Sequence, residues 1–73
     1  MPKVPIISGM EVIRVMKRLG FVIVRQRGSH IILSKGHSGC VVPNHHELKI
    51  GTLLGVLKQA GVPLEEFIAT LHN

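Results

Sequence analysis

Aromatic residues are nearly missing from this chain of 73 residues: it has no Trp, no Tyr and two Phe, Phe21 and Phe67. That argues against a surface that grips single-stranded nucleic acid by stacking bases on aromatic rings. Any nucleic acid would have to be held through phosphates and 2′-hydroxyls. Cysteine is equally scarce. With Cys40 alone no intrachain disulfide can form, which fits a reducing cytoplasm. No stretch approaches the roughly 18 uninterrupted apolar residues that a membrane span needs. The first apolar stretch, behind Met1-Pro2-Lys3-Val4-Pro5, is broken by Ser8, Gly9 and Glu11 and does not read as a signal peptide.

Acidic residues are also few. Four Asp and Glu stand against nine Lys and Arg, a formal charge of +5. On so short a chain this favours a polyanionic partner, nucleic acid or an acidic protein. The length implies one domain, residues 1–73, near the lower limit for a self-supporting core. A site in so small a domain lies on a sheet face or in a shallow groove. The 45% hydrophobic content is high for this size and leaves room for an apolar patch covered by a partner.

What the sequence does contain is ordered. Ser8 and Glu11 form a capping box, followed by apolar residues at helical spacing, Val12, Ile13, Met16 and Leu19, and a stop at Gly20. Phe21 to Arg27 reads as a strand, Gly28-Ser29 as a turn or bulge, and His30 to Ser34 as a second strand. Cys40 to Val42 makes a short third strand that Pro43 ends or places at an edge. Asn44 to Glu47 is a polar loop. Ile50, Leu53, Leu54, Leu57 and Ala60 form a second helical stripe ending at Gly61. Pro63 suits the first turn of a third helix with Leu64, Phe67, Ile68 and Leu71.

The order α-β-β-β-α-α predicts an α+β fold, a three-stranded antiparallel sheet with helices on one face and the other face open. This is a double-stranded-RNA-binding-like layout, α-β-β-β-α, with a short extra C-terminal helix. Alternation places His30, Ile32 and Ser34 on one face of the second strand and Ile31 and Leu33 on the other. The open face is the expected one for His30.

Leu19-Gly20-Phe21, Arg25-Gln26-Arg27-Gly28-Ser29-His30, Val42-Pro43-Asn44-His45, Lys49-Ile50-Gly51-Thr52-Leu53 and Leu57-Lys58-Gln59-Ala60-Gly61 fall in a specific order. In that order the chain resembles the HicA, or YcfA-like, toxin family over nearly its whole length. Its loop from Asn44 to Lys49 is shorter than in many members. The resemblance implies an mRNA-cleaving endoribonuclease, the toxin of a toxin–antitoxin pair, inhibited by a HicB-type antitoxin. The family's catalytic histidine corresponds to His30.

The residues support that chemistry independently. RNA is cleaved without a metal when a base takes the 2′-hydroxyl proton, the oxyanion attacks the adjacent phosphate and the 5′-oxygen leaves. Histidine as a residue type serves as base or acid near neutrality. Gly28 allows a backbone to approach closely, and Ser29 offers a hydroxyl to a phosphate oxygen. Arg25, Arg27 and Lys35 flank the segment as expected phosphate ligands.

Two proton transfers are required; His37, His45 and His46 are the candidates beside His30, and a protonated Arg or Lys, or water, is the substitute at a cost in rate. His37, Cys40, His45 and His46 cluster in sequence, but their spacing matches no zinc pattern. Neither a metal nor a cofactor is expected. A non-catalytic RNA-binding module and an interaction protein with an acidic partner are the alternative readings.

Overall fold

The computed structural model describes residues 3–73. Met1 and Pro2, part of the N-terminal segment read above for a leader, lie outside them. Helix α1 (Gly9–Arg18) begins at the expected capping box: the Glu11 N–H donates to Ser8 Oγ at 3.1 Å, and the Ser8 N–H donates to the Glu11 carboxylate at 3.3 Å. Strands β1 (Val22–Arg27), β2 (His30–Lys35) and β3 (Ser38–Pro43) follow, then helices α2 (Ile50–Ala60) and α3 (Leu64–Leu71). The observed order is α-β-β-β-α-α, the α+β layout expected. Pro63 sits one residue earlier than expected, at the N-cap of α3 rather than inside its first turn.

The sheet runs β1-β2-β3, with both pairs antiparallel. The alternation expected for β2 is present. Ile31 and Leu33 are buried against the helices, His30 is exposed, and Ile32 and Ser34 are half-buried on the opposite face. In β3 the buried positions are Cys40 and Val42. α2 packs chiefly on β3, and α1 wedges between β3 and α3. All six residues of β1 are exposed, whereas Ile31 and Leu33 of β2 are buried. The helices thus cover two strands of the sheet and leave the third overhanging.

The core joins Val12, Ile13, Val15 and Met16 of α1 to Phe21, Leu33, Val42, Leu53, Leu57 and Phe67. Two expectations about the core change. Ile50 and Leu54, read as part of the buried stripe of α2, are exposed, and Val56 is buried in their place. Apolar residues cover about 160° of this helix at 100° per residue, more than the sheet can cover. The packed arc runs from Val56 through Ala60 and Leu53 to Leu57. Leu48 is a second addition. It lies in a stretch read as loop, yet it is buried, and its N–H donates to the Ile7 carbonyl at 2.8 Å.

Candidate active site

The β1–β2 connection is a two-residue turn, Gly28-Ser29, with Gly28 at φ 57° and no positive φ at Ser29. This is the sign pattern of a type II′ turn, whose first central position favours glycine. The turn makes Arg27 and His30 directly opposed residues. Both of its carbonyls are held from outside. The Gln26 side-chain amide donates to Gly28 O at 3.0 Å, and the Asn44 N–H donates to Ser29 O at 2.6 Å. The backbone that presents His30 is therefore tied both to its own strand and to the end of β3.

Register decides which side chains share the His30 face. Arg27 pairs with His30 and Arg25 with Ile32, so both arginines stand on the open face beside the histidine. On the other side His30 pairs with Pro43 and Ile32 with Val41. Gly28, Ser29, His30, Arg25 and Arg27 are all exposed. No strand carries a carboxylate: Glu11 is in α1, Glu47 in the loop before α2, and Glu65 and Glu66 in α3. The open face therefore has an unopposed positive charge next to a histidine.

Lys35 does not belong to this group. It ends β2, five residues from His30 and about 16 Å along the strand, and its parity puts it on the helix side. Its ammonium donates to the Leu19 carbonyl at 2.7 Å and lies 5.8 Å from the centre of the Phe21 ring. Sequence proximity placed it near His30; the strand direction takes it away. His37 goes with it, in the turn at that same far end. His45 and His46 remain at the His30 end, in the loop after Pro43, where the His45 carbonyl accepts from the Gly9 N–H at 2.9 Å.

The residues considered for zinc are scattered. Cys40 is buried opposite Leu33 on the helix side, while His37 and the His45–His46 pair lie beyond opposite ends of β3. Among the described residues no group of three His, Cys, Asp or Glu is assembled to hold a metal ion. Burial pushes the Cys40 thiol up to about 11, so it behaves as a neutral core side chain.

Sequence reasoning missed the clamp on this turn. Gln26 was legible only as a polar strand residue, and Asn44 acts through its main chain, which leaves no trace in side-chain identity. In the sequence Gly9 is legible only as a break in the first apolar stretch. A Cβ there would fall well inside van der Waals distance of the Pro43 carbonyl oxygen. The first residue of α1 therefore has to be small for the helix to approach the end of β3.

Taken together, an exposed histidine, two adjacent guanidinium groups and a fixed turn can bind a phosphodiester and move a proton beside it. The family model described as HicA toxin of bacterial toxin-antitoxin matches residues 9–62. This chain belongs to the HicA toxin family. The matched span runs from the start of α1 past the end of α2 and contains the whole sheet, the clamped turn and His30. Among curated proteins, none matches the chain. No helix among the described residues is long and apolar enough to cross a membrane.

Proposed function

We propose that this HicA-family toxin is a metal-independent endoribonuclease acting on mRNA in the cytoplasm, with His30 as its essential acid/base. The observation that carries the reading is the pairing of His30 with Arg27, with Arg25 two residue pairs along as the next side chain on the same face, on a sheet face without carboxylates. The double-stranded-RNA-binding-like layout and the basic charge agree with an RNA substrate.

In this reading Arg25 and Arg27 hold the phosphates on either side of the scissile bond. The Ser29 hydroxyl donates to a phosphate oxygen, and Gly28 keeps the approach open. A proton leaves the 2′-hydroxyl, O2′ bonds to phosphorus, and the P–O5′ bond breaks. The products are a 2′,3′-cyclic phosphate and a 5′-hydroxyl that has gained a proton. His30 makes one of the two proton transfers. His45 or His46, at the same end of the sheet, is the candidate for the other. Chain charge and exposed sheet face also suit neutralisation by a HicB-type antitoxin that covers the site.

The test is cleavage of an mRNA by the purified chain in excess chelator, alongside His30→Ala. Cleavage is expected to persist with chelator and to fall by about 10²–10⁴-fold in the variant. Full activity in the variant sinks the assignment of His30. Loss of activity under chelation sinks the metal-free mechanism. Salt-sensitive binding with intact RNA would make the chain a binding module instead.

A further inference from the structure

The two edges of the sheet are treated differently. At the β3 edge, the Val41 N–H donates to the Gln59 side-chain oxygen at 2.9 Å, and α2 packs alongside. That edge is occupied. The β1 edge is open by comparison: all six of its residues are exposed. The alternate N–H and C=O groups of an edge strand point outward, here at Gln26 among others, and offer a template for another strand.

Natural edges are usually blunted by charge, proline or burial. The first half of β1 is not. Val22, Ile23 and Val24 are consecutive and 57%, 44% and 57% exposed. A bulge between Ile23 and Arg25 turns Val22 onto the open face and Ile23 onto the helix side, so apolar surface is shown on both sides of the edge. The second half carries Arg25 and Arg27, spaced to face one side.

We propose that the β1 edge docks an extended strand of a partner protein, with acidic residues at alternate positions facing Arg25 and Arg27 and apolar residues along Val22–Val24. The identification of that partner as the antitoxin rests on the toxin–antitoxin reading; the strand-addition geometry does not. Charge selects the occupant. Two copies of this chain paired edge to edge would gather four arginines on one face with no carboxylate between them. An RNA strand would be drawn to the arginines but has nothing to set against three exposed aliphatic side chains and an outward row of main-chain groups. A fourth strand lies roughly 5 Å from β1. Its carboxylates occupy the two guanidinium groups that flank His30, so docking competes with phosphate binding without contact to the histidine.

The experiment is an amide-resolved NMR titration of the full chain with an acetylated, amidated heptapeptide of alternating Glu and Val. A Lys–Val peptide of the same length and a short RNA oligonucleotide serve as comparisons. The expected result is a shift pattern centred on Val22–Arg27 for the acidic peptide, with Gln26 amide exchange slowed by about tenfold or more at saturation, and little effect of the basic peptide. The double variant Val22→Thr, Val24→Thr is expected to weaken peptide binding several-fold while leaving RNA cleavage unchanged. Arg25→Glu with Arg27→Glu is expected to reverse the peptide preference.

Absence of shifts at low-millimolar peptide, equal response to both peptides, or shifts centred on the helices overturns the proposal. So does RNA perturbing Val22–Val24 as strongly as the acidic peptide, or sedimentation showing dimers through this edge. A chain that fails to cleave RNA but gives the expected titration defeats the nuclease reading and leaves the docking edge standing.

Discussion

The Asn44 main-chain N–H donates to the Ser29 carbonyl at 2.6 Å, joining the exit of β3 to the turn that presents His30. The bond brings together segments that are 15 residues apart in sequence and, with the Gly9–His45 bond, links the turn to the start of α1. Stability of the helix–loop packing and geometry at His30 are therefore expected to change together.

Gly9→Ala tests that coupling. Its new Cβ meets the Pro43 carbonyl, a backbone atom that cannot swing aside. Overpacking against a backbone costs about 1–3 kcal/mol, which for a domain of this size is a fall in Tm of about 4–24 °C. The displaced Pro43–His45 segment is expected to lower RNA cleavage beyond what the stability loss explains. Gly51→Ala and Gly55→Ala are the controls. Both positions lie in α2 with open space around the added carbon, and each is expected to stabilise by about 0.5–1 kcal/mol. Thermal melts followed by single-turnover cleavage well below Tm separate the two effects.

Turn chemistry gives a second expectation. Gly28 holds φ 57° with nothing within 4 Å of a built Cβ, so Gly28→Ala meets no neighbour and pays only for backbone conformation, about 1–3 kcal/mol. Gln26→Ala removes the hydrogen bond to Gly28 O while leaving φ free to stay as it is. The expected result is a stability change under about 1 kcal/mol with a fall in the cleavage rate at saturating RNA and little change in RNA affinity. Equal losses in rate and affinity would show that Gln26 contacts RNA rather than positioning the turn.

How much of this was readable in advance depends on the residue. Ser8 and Glu11 announce the start of α1 because capping is local chemistry between neighbours. The alternation in β2 announced the face of His30 because strand parity is local too. The burial of Leu48 and Val56 and the exposure of Ile50 and Leu54 depend on where the sheet ends, and no window of sequence holds that information. The same holds for the site. Arg25 and Arg27 join His30 because a two-residue turn puts them in register, whereas Lys35, equally close in sequence, is carried to the far end and the other face by the strand between.

That division predicts distinct RNA-binding phenotypes. Arg25→Gln and Arg27→Gln are each expected to weaken RNA binding and to reduce the slope of log K against log salt by about 0.7, the contribution of one phosphate contact on a single strand. Arg27→Gln is expected to lower the cleavage rate more, since Arg27 stands directly opposite His30. Lys35→Gln is expected to leave the salt slope unchanged. Titrations between low and moderate salt decide the matter. An equal slope change for Lys35→Gln would mean that RNA runs the full length of β2.

Cys40 provides the pH-dependent prediction. Its thiol is held at about 11 in the folded chain by burial, against an ordinary value of 9.0. Between those values the unfolded chain has lost a proton that the folded chain still keeps, so stability falls as pH rises through this window and is unaffected by this group below it. Two pH units correspond to on the order of 3 kcal/mol. Lysines titrate over the same range, so the measurement is the difference between the parent and Cys40→Ala in urea melts at several pH values. The parent's advantage is expected to shrink steadily between pH 9 and 11. The same burial makes the native thiol slow toward an aromatic disulfide reagent at pH 8 and fast once unfolded. A thiol that reacts at the same rate in both states would place Cys40 outside the core, and with it the packing of β3 against the helices.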